Sequence, residues 1–371
     1  MRSTDVVIIG GGPAGLAAGL TLARGGARPV VMEKSATFGR KLCAGMISNP
    51  FLGHSLDQFT AEPGVVRGTS DKLIMNVGRA RLTLGRNSSL LGLRTAADFL
   101  LLDREAFEAA LAARAARAGA EIRLGAAVTH IERRGGALVV NGEIATKLVI
   151  GADGVHSMVR RFLGRKLPRR AVALMAEVED TRARKPVPEL LFDRGLTGAA
   201  GYAWWFPYPA GGGNAGIGGM SPRGLRDAWN RFCQCFGLKP VGPVRGACIP
   251  AELPRGTVAN NVLLTGDAAC MADCLVGAGI HSALVSGQCA GHAALEAIRR
   301  GEYSARVLSA YERRWKKLMM NRFRVFRLLG AAFYGALGLS DSLTTLCMKT
   351  AGLADQAGTE QPGTEELHQP V

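Results

Sequence analysis

Apolar residues near the start of the chain follow first the rhythm of a strand and then that of a helix. Asp5–Ile9 is a short apolar run, Gly10–Gly15 is a glycine-rich turn, and Leu16–Arg24 has helical periodicity. A second apolar run, Pro29–Met32, ends in Glu33. This order of strand, turn, helix, strand and acid predicts the first part of a fold that holds a dinucleotide.

The residue types in this turn suit a pyrophosphate. Gly10 permits the tight bend, Gly12 lets the backbone approach the phosphates, and Gly15 lets helix and strand pack closely. The first amides of the helix then face the phosphate charge. Glu33 is placed to accept from a ribose 2′-hydroxyl and would repel a 2′-phosphate, so we expect FAD or NAD rather than NADP at this site.

Later parts of the chain alternate between two strand patterns. Short runs broken by glycines, between about residues 60 and 95 and again between about 170 and 250, predict antiparallel strands, and Ala126–His130 also has a strand rhythm. Continuous apolar runs at Lys147–Gly151 and Asn261–Leu264 predict a return to buried strands of the nucleotide fold. Helices are expected after Asp103, as N-cap, and from about Gly279.

These elements predict an α/β fold class. The expected arrangement is a discontinuous Rossmann-like nucleotide-binding domain, an inserted antiparallel β-sheet substrate domain and C-terminal helices. The predicted boundaries are 1–60, 95–170 and 255–302 for the nucleotide-binding domain, 61–94 and 171–254 for the substrate-binding domain, 303–355 for the helical region, and 356–371 for a disordered tail with little apolar surface.

The formal charge of +16 favours an anionic partner such as acidic lipid or a pyrophosphate-bearing substrate. Arginines are spread along the chain, so a compositional bias explains part of this charge, and no nucleic-acid-binding module is present. We therefore expect no nucleic-acid partner. The eight cysteines are scattered, which indicates reduced thiols, and no metal-ligand spacing is found.

The expected location is cytoplasmic, because the nucleotide fold begins by residue 5 and leaves no room for a cleaved signal peptide. The apolar run Leu328–Leu339 is too short to cross a bilayer. Trp315–Arg327 mixes basic and large apolar residues at helical spacing. It is expected either to lie peripherally on the anionic inner membrane surface or to be a packing helix with a basic outer face.

Three motifs resemble the FAD-dependent oxidoreductase superfamily that includes p-hydroxybenzoate hydroxylase. They are Gly10-x-Gly12-x-x-Gly15, Gly151–Gly154 and Leu264–Ala269. Within that superfamily, Lys41–Gly45 and the Tyr-x-Trp-x-Phe-Pro string of Tyr202–Pro207 are similar to the geranylgeranyl reductase family, which saturates isoprenoid chains on lipids or pyrophosphates. The resemblance implies FAD as cofactor, with NADPH one candidate electron donor.

The resemblance also implies roles for individual residues. Asp267 is expected to bind flavin ribityl or ribose hydroxyls, Asp153 to brace the turn on the pyrophosphate side, and Arg104 to offset pyrophosphate charge. Gly277–Ile280 would present a helix start to the flavin pyrimidine. The predicted cofactor contacts are Gly10, Gly12, Ala14, Gly15, Glu33, Lys34, Cys43, Ala44, Gly45, Arg104, Val128, Asp153, Asp267, Gly277, Gly279 and Ile280.

The cysteines near the expected flavin leave several interpretations open. Relatives commonly carry a proline and an acid where this chain has Cys274 and Ala278, so the substrate and the electron donor stay open. Cys270 and Cys274 are either a redox pair or buried packing residues. Cys43 either shapes the pocket, relays a proton, or packs.

Tyr202, Trp204 and Phe206 alternate along a predicted strand and would face one side, while Trp205 faces the other. They are the expected substrate-binding residues, forming an aromatic wall over a prenyl chain; ordinary strand core is the alternative. Flavin N5 would deliver hydride to a carbon beside this wall, with the proton from Cys43, Tyr202 or water. Cys43, Tyr202 and Trp204 are therefore the predicted catalytic residues.

Two further functions remain open at this point. Gly201–Pro207 also resembles the Gly-Trp-x-Trp-x-Ile-Pro string of flavin halogenases, with two substitutions, so a flavin-dependent monooxygenase or halogenase is the alternative enzyme. A flavoprotein sensor would keep the cofactor without turnover. The expected partner of the reductase is an apolar isoprenoid-type small molecule or lipid.

Overall fold

The computed structural model describes residues 1–50, 56–78, 80–85, 89–90, 93–94, 98–182, 185–197 and 201–339. The predicted tail, and the part of the predicted helical region beyond residue 339, lie outside the described residues.

The strands fall in two main sheets and two small ones. In chain order they are β1 (Arg2–Ile9), β2 (Val30–Met32), β3 (Met46–Asn49), β4 (Val66–Ser70), β5 (Lys72–Val77), β6 (Ala80–Gly85), β7 (Ser89–Leu90), β8 (Leu93–Arg94), β9 (Asp98–Leu102), β10 (Glu121–Arg123), β11 (Ile131–Arg134), β12 (Ala137–Val140), β13 (Ile144–Gly151), β14 (Arg170–Asp180), β15 (Glu189–Phe192), β16 (Gly201–Pro207), β17 (Gly213–Gly219), β18 (Leu238–Pro240), β19 (Arg245–Pro250), β20 (Val258–Ala259) and β21 (Val262–Leu264).

The helices lie mostly between these strands and after them. They are α1 (Pro13–Arg24), α2 (Asp57–Thr60), α3 (Arg104–Arg117), α4 (Met158–Phe162), α5 (Arg194–Thr197), α6 (Leu225–Phe236), α7 (Ile280–Arg300), α8 (Ala305–Trp315) and α9 (Asn321–Leu339), with a 3-10 turn at Gly266–Ala269 and a π-helical turn at Lys316–Met320.

The first sheet brings the predicted nucleotide motifs to one edge. Strands β10, β2, β1, β13 and β21 run parallel, while β12 and β11 continue from β13 as antiparallel strands. Register places Ile9 beside Met32 and Gly151, and Gly151 beside Leu264. The four strands that precede the motifs therefore end in one row.

Helices α1 and α7 cross closely on this sheet. A Cβ added at Gly287 would lie 2.2 Å from the carbonyl oxygen of Ala14, and one at Gly291 would lie 2.7 Å from Cβ of Thr21. Both glycines belong to α7 and sit four residues apart, so they face α1 together. Their lack of side chains lets α7 approach the dinucleotide turn.

The second main sheet has the order β18, β14, β17, β16, β15, β5 and β6, with β19 also pairing with β14. Its described pairs are antiparallel except β5 with β15, which are parallel. Strand β4 does not join this sheet and instead pairs with β9, beside β3. The antiparallel prediction for residues 60–95 therefore holds for β4 with β9, β5 with β6 and β7 with β8, and fails for β5 with β15.

The predicted strand at Ala126–His130 is wrong. The side-chain oxygen of Asn141 accepts from the backbone amides of Thr129 and His130, at 2.9 and 3.2 Å, and its amide donates to the carbonyl of Ala127 at 2.8 Å. These bonds occupy backbone groups that a neighbouring strand would otherwise use. The segment is therefore a connection rather than a strand.

The C-terminal helices cover both sheets. Tyr311 and Trp315 of α8 are fully buried in the core of the first sheet, while Phe333 of α9 packs edge-on against Phe192 of β15 with ring centroids 4.9 Å apart. Among the described residues, no helix combines the length and apolarity needed to cross a membrane. The predicted α/β fold class is confirmed.

Candidate functional site

The dinucleotide turn has the geometry that its glycines predict. Gly10 has φ of 109°, and a Cβ added there would lie 2.3 Å from the carbonyl oxygen of Ala152. A Cβ on Gly15 would lie 1.9 Å from the carbonyl oxygen of Gly10. A Cβ on Gly12 would meet no atom of the described residues within 4 Å, so among them open space lies at the start of α1.

Glu33 is fixed beside this turn. Its carboxylate accepts from the amide of Gly11 at 2.7 Å and from the amide of Ser35 at 2.9 Å. Lys34 follows it and is exposed, while Val128 is half-buried in the connection whose Ala126 amide donates to the Glu33 carbonyl. Glu33, Lys34 and the connection that carries Val128 therefore lie beside the dinucleotide turn.

Asp153 holds the turn at the end of β13. Its carboxylate accepts from the hydroxyl of Ser157 at 2.5 Å and from the amides of Met158 and Val159 at 2.6 and 3.1 Å. Burial raises the pKa of Asp153, which these donors oppose. Asp153 therefore accepts from the first amides of α4, beside the N-cap Ser157, and fixes the turn next to Gly10.

Helix α4 in turn ties this motif to the next one. Arg160 is buried, and its Nη1 donates to the carbonyl oxygen of Ala268 at 3.2 Å while Nε donates to the carbonyl of Lys166 at 2.7 Å. Ala268 belongs to the 3-10 turn that presents Asp267. The two motifs are thus held by one buried guanidinium, which sequence reasoning had missed.

Asp267 lies between the starts of α1 and α7. A Cβ on neighbouring Gly266 would lie 2.8 Å from Cβ of Ala14, and one on Gly279, the N-cap of α7, would lie 3.5 Å from Oδ1 of Asp267. Its other oxygen forms an ion pair with Lys41. The carboxylate is therefore placed next to the positive end of the α7 dipole and held by a cation from the Lys41–Gly45 motif.

Arg104, Cys43 and Glu108 form a group next to that motif, in which Glu108 is buried and the other two are partly buried. Arg104 pairs with Glu108, which also accepts from the amide of Gly39 at 2.8 Å, and the Cys43 thiol lies beside the guanidinium. Burial disfavours the charge, but Glu108 and Cys43 outweigh it and raise the pKa of Arg104. Its buried Nε has no hydrogen-bond partner within the part of the chain that the structure describes.

The backbone around Cys43 is shaped by Gly45. Gly45 has φ of 76°, and a Cβ there would lie 2.7 Å from the carbonyl oxygen of Leu102. Its amide donates to the Cys43 sulfur at 3.4 Å. Ala44 packs against the core of the second sheet. The Lys41–Gly45 motif therefore spans from the nucleotide motifs to the second sheet.

The alternating aromatic residues of β16 face opposite sides, as the spacing predicts. Tyr202, Trp204 and Phe206 join one apolar cluster, and Trp205 is buried in the other. Trp204 Nε1 donates to the side-chain oxygen of Asn214 at 2.9 Å, and a Cβ on the cross-strand partner Gly216 would lie 2.0 Å from the indole. The glycine is what lets the indole lie flat on β17.

An apolar cavity of about 110 Å³ opens beside this aromatic face. It lies between the second sheet, the 273–277 loop that precedes α7, and α9. Its lining includes Tyr202, Trp204, Ile249, Val276, Gly277 and Tyr334. Phe206 shares the aromatic face but does not line the cavity.

The 273–277 loop is held from both sides. Asp273 accepts from the amides of Leu275 and Val276 at 3.1 and 2.8 Å, and Arg322 of α9 lies 3.6 Å from its other oxygen. The hydroxyl of Tyr202 donates to the carbonyl of Val276 at 2.6 Å, and that of Tyr334 to the carbonyl of Leu275 at 2.7 Å. These hydrogen bonds and the ion pair therefore connect the aromatic face of β16, α9 and the loop that leads into α7.

Burial sets the protonation of the nearby groups. It raises the pKa of Tyr202 well above its ordinary value, raises that of Cys270 to about 11, and also raises that of Cys274. These groups therefore stay protonated near pH 7. Cys274 lines the cavity, whereas Cys270 is fully buried at φ of 63°.

The residues present fit FAD. The open space at Gly12 lies where a pyrophosphate would reach the amides of α1. Nε of Arg104 is a buried donor that has no acceptor among the described residues. Asp267 provides an acceptor beside Gly279, at the start of α7. The structure brings the predicted contacts into two groups, one at the dinucleotide turn with Glu33 and one around Asp267, Cys43 and Arg104.

Comparison with known proteins agrees with this geometry. Residues 3–194 match the FAD binding domain family. The chain is 33% identical over 337 residues to digeranylgeranylglycerophospholipid reductase 2 of Methanothermobacter thermautotrophicus, covering 84% of this chain and 83% of the relative.

Two solved structures share the fold. A geranylgeranyl bacteriochlorophyll reductase-like protein from Thermoplasma acidophilum matches with a TM-score of 0.82 and 24% identity, covering 98% of this chain and 94% of that protein. The flavin-dependent halogenase CmlS matches with a TM-score of 0.68 and 21% identity, covering 92% of this chain and 67% of the halogenase. With its FAD-binding domain, the chain belongs to the geranylgeranyl reductase family of FAD-dependent oxidoreductases.

Proposed function

We propose that this enzyme saturates carbon–carbon double bonds of an isoprenoid carried by a lipid, a quinone or a pyrophosphate. The observation that carries the proposal is the apolar cavity, which lies between the aromatic wall and the loop leading into α7. Aromatic and aliphatic groups dominate its lining, as a hydrocarbon chain requires. The relative's name, digeranylgeranylglycerophospholipid reductase, supports the same substrate class.

Reduced FAD, when bound, supplies the hydride, and the second alkene carbon needs a proton. Trp204 is held by Asn214 and is 5% exposed, so its ring offers a fixed face to the chain and to developing positive charge. Tyr202 stays protonated, and Cys43 lies beside Arg104, so either can donate the proton, with water as the third source.

The proposal also names the electron donor and the surface on which the enzyme works. We propose NADPH as the donor that returns FAD to its reduced form. The face of the π-helical turn and α9 that carries large exposed apolar groups and several bases is proposed to lie peripherally on an anionic cytoplasmic membrane surface. These exposed residues are Lys317, Leu318, Arg324, Val325, Arg327 and Leu328.

The test is anaerobic turnover. Protein reconstituted with FAD and reduced by dithionite is mixed with a geranylgeranyl lipid in vesicles, and the lipids are then measured by mass spectrometry. The proposal expects products heavier by steps of two daltons, one for each saturated bond. Unchanged lipid, with the flavin still reduced at the end of the incubation, would reject it.

Oxygen chemistry is the alternative, supported by the similarity in fold to a flavin-dependent halogenase. Stopped-flow mixing of the reduced enzyme with oxygen distinguishes the two. A long-lived absorbance from an oxygen adduct would favour the monooxygenase or halogenase, whereas rapid reoxidation without one favours the reductase.

A further inference from the structure

A chain of hydrogen bonds leads from the aromatic wall to a carboxylate. Nε1 of Trp204 donates to the side-chain oxygen of Asn214 at 2.9 Å, and Nδ2 of Asn214 donates to Oε1 of Glu177 at 3.3 Å. The strands that carry them, β16, β17 and β14, are neighbours in the second sheet. Glu177 and Asn214 are register partners, and Phe206, the partner of Asn214, is two residues from Trp204. All three side chains therefore lie on the face of the sheet that borders the cavity.

The chemistry of the groups fixes the direction of this chain. An indole N–H can only donate, so the amide of Asn214 turns its oxygen to Trp204 and its NH₂ group to Glu177, whose carboxylate accepts. Hydrogen bonds in a row polarise one another, and an amide that donates to a carboxylate accepts more strongly through its oxygen. Asn214 and Trp204 are both buried, so water does not compete for the bond between them. The indole N–H is thus bonded to an acceptor that Glu177 strengthens.

Glu177 is about half exposed but is held in place. The hydroxyl of Tyr208 donates to its Oε1 at 3.1 Å, and Nη1 of Arg67 lies 3.6 Å from its Oε2. Nε of Arg67 in turn lies 3.1 Å from the carboxylate of Asp103, the N-cap of α3. Because Arg67 is on the far oxygen, Oε1 stays directed at Asn214. The carboxylate is therefore a fixed end for the chain.

A buried indole needs an acceptor in any core, so the bond to Asn214 alone indicates no function. Two further observations point beyond packing. The ring of Trp204 lines the apolar cavity, and its acceptor is bonded to a carboxylate rather than to a neutral group. A stronger acceptor on the N–H leaves more electron density in the ring, and an electron-rich face attracts positive charge more strongly. In the proposed reduction, one alkene carbon gains positive character when its neighbour takes up the proton and before the hydride arrives.

We infer that Glu177 is a positioning residue that acts on Trp204 through Asn214. It fixes the orientation of the amide, and through the amide it makes the face of the indole a better site for positive charge on an isoprenoid chain. This role rests on the proposed function, because only a reaction with cationic character needs such a face.

The test uses a cation that is stable enough for equilibrium binding. N,N-Dimethylgeranylgeranylamine, which is protonated near pH 7, and its neutral isostere with carbon in place of nitrogen are titrated into FAD-loaded protein by calorimetry. Glu177→Gln removes the charge and keeps an oxygen that can accept from Asn214. This variant should bind the ammonium compound about twofold to threefold more weakly and bind the neutral compound as wild type does.

A double-mutant cycle with Trp204→Phe separates the effect of the indole from a direct effect of the charge. Phenylalanine has no N–H, so Glu177→Gln should change nothing further in the Trp204→Phe background. Glu179→Gln is the matched control, since Glu179 is an exposed acid two positions along β14 whose register partner is Lys239. It loses the same charge and should bind both compounds as wild type does. Circular dichroism checks that every variant folds.

The indole N–H band in ultraviolet resonance Raman spectra gives a second readout. The contribution of Trp204 is obtained by subtracting the spectrum of Trp204→Phe. This band should shift toward a weaker hydrogen bond in Glu177→Gln and stay unchanged in Glu179→Gln.

Several results would overturn the inference. Equal ammonium binding by wild type and Glu177→Gln, or an unshifted Raman band, would show that Glu177 does not act on the indole. The same loss in the Trp204→Phe background would show that Glu177 attracts the cation directly. The same loss in Glu179→Gln would reduce the effect to net charge. None of these readouts uses turnover, so a protein that gives the expected results but saturates no prenyl lipid would reject only the proposed function.

Discussion

Gly12→Ala should weaken FAD binding strongly while changing the stability of the apoprotein little. A Cβ at Gly12 would meet no atom within 4 Å in the part of the chain that the structure describes. The φ of −78° and ψ of −178° at Gly12 suit alanine. Gly12 is the N-cap of α1, where alanine in place of glycine costs about 1 kcal/mol. The free energy of unfolding of the apoprotein should therefore fall by no more than about that amount.

The same methyl group occupies the space through which a pyrophosphate would reach the first amides of α1. Losing two charge-assisted hydrogen bonds, at about 1.5–3 kcal/mol each, weakens FAD binding by about 3–6 kcal/mol. That corresponds to a rise in the dissociation constant of about a hundredfold to ten-thousandfold.

The assay titrates FAD into apoprotein by flavin fluorescence, alongside urea unfolding of the same samples. Gly335→Ala is the matched control, because Gly335 is an exposed position of α9, its added Cβ would meet no atom of the described residues within 4 Å, and FAD binding should be retained. Gly15→Ala should instead fail to fold, since its Cβ would lie 1.9 Å from the Gly10 carbonyl oxygen. Tight FAD binding by Gly12→Ala would refute the placement of the pyrophosphate.

Three further predictions test the aromatic wall, the ion pair that holds the 273–277 loop, and the protonation of Tyr202. Trp204→Ala should lower turnover of a prenyl lipid at saturating substrate, whereas Trp204→Phe should retain most of it; unchanged turnover in the alanine variant would remove the wall from the mechanism. Arg322→Met leaves the buried Asp273 without its Arg322 partner and should lower the free energy of unfolding by about 3–5 kcal/mol, measured by urea denaturation. Adding Asp273→Asn should restore part of this loss. Equal stability of wild type and Arg322→Met would contradict the pairing. Because the pKa of Tyr202 is raised, its hydroxyl stays protonated as pH rises to 10, so wild type and Tyr202→Phe should have rate profiles of the same shape between pH 8 and 10; a decline in wild type alone would show that Tyr202 ionises there.

The sequence predicted those parts of the site that depend on local pattern. Strand ends followed by glycine or aspartate motifs indicated where Gly12, Glu33, Asp153 and Asp267 would converge, because parallel strands present their carboxyl ends at one edge. The family was also predicted correctly from Lys41–Gly45 with the aromatic string, and the matches confirm it. The domain boundaries and residue roles stay predictions.

Contacts between distant residues could not be predicted in this way. Lys41 pairs with Asp267 across 226 positions, and nothing local to either residue indicates the other. The strand predicted at Ala126–His130 failed because the side chain of Asn141 replaced a neighbouring strand. Gly287 and Gly291 did carry a signal, since two glycines four residues apart share one helix face and allow another helix to approach it closely.

The indole of Trp204 lies flat against Gly216, so the side chain tolerated at one of these positions depends on the side chain at the other. Any side chain at 216 would displace the indole, so enlarging that residue becomes tolerable only when 204 shrinks at the same time. A smaller residue at 204 can be introduced with Gly216 retained, whereas a side chain at 216 requires a smaller residue at 204 in the same variant.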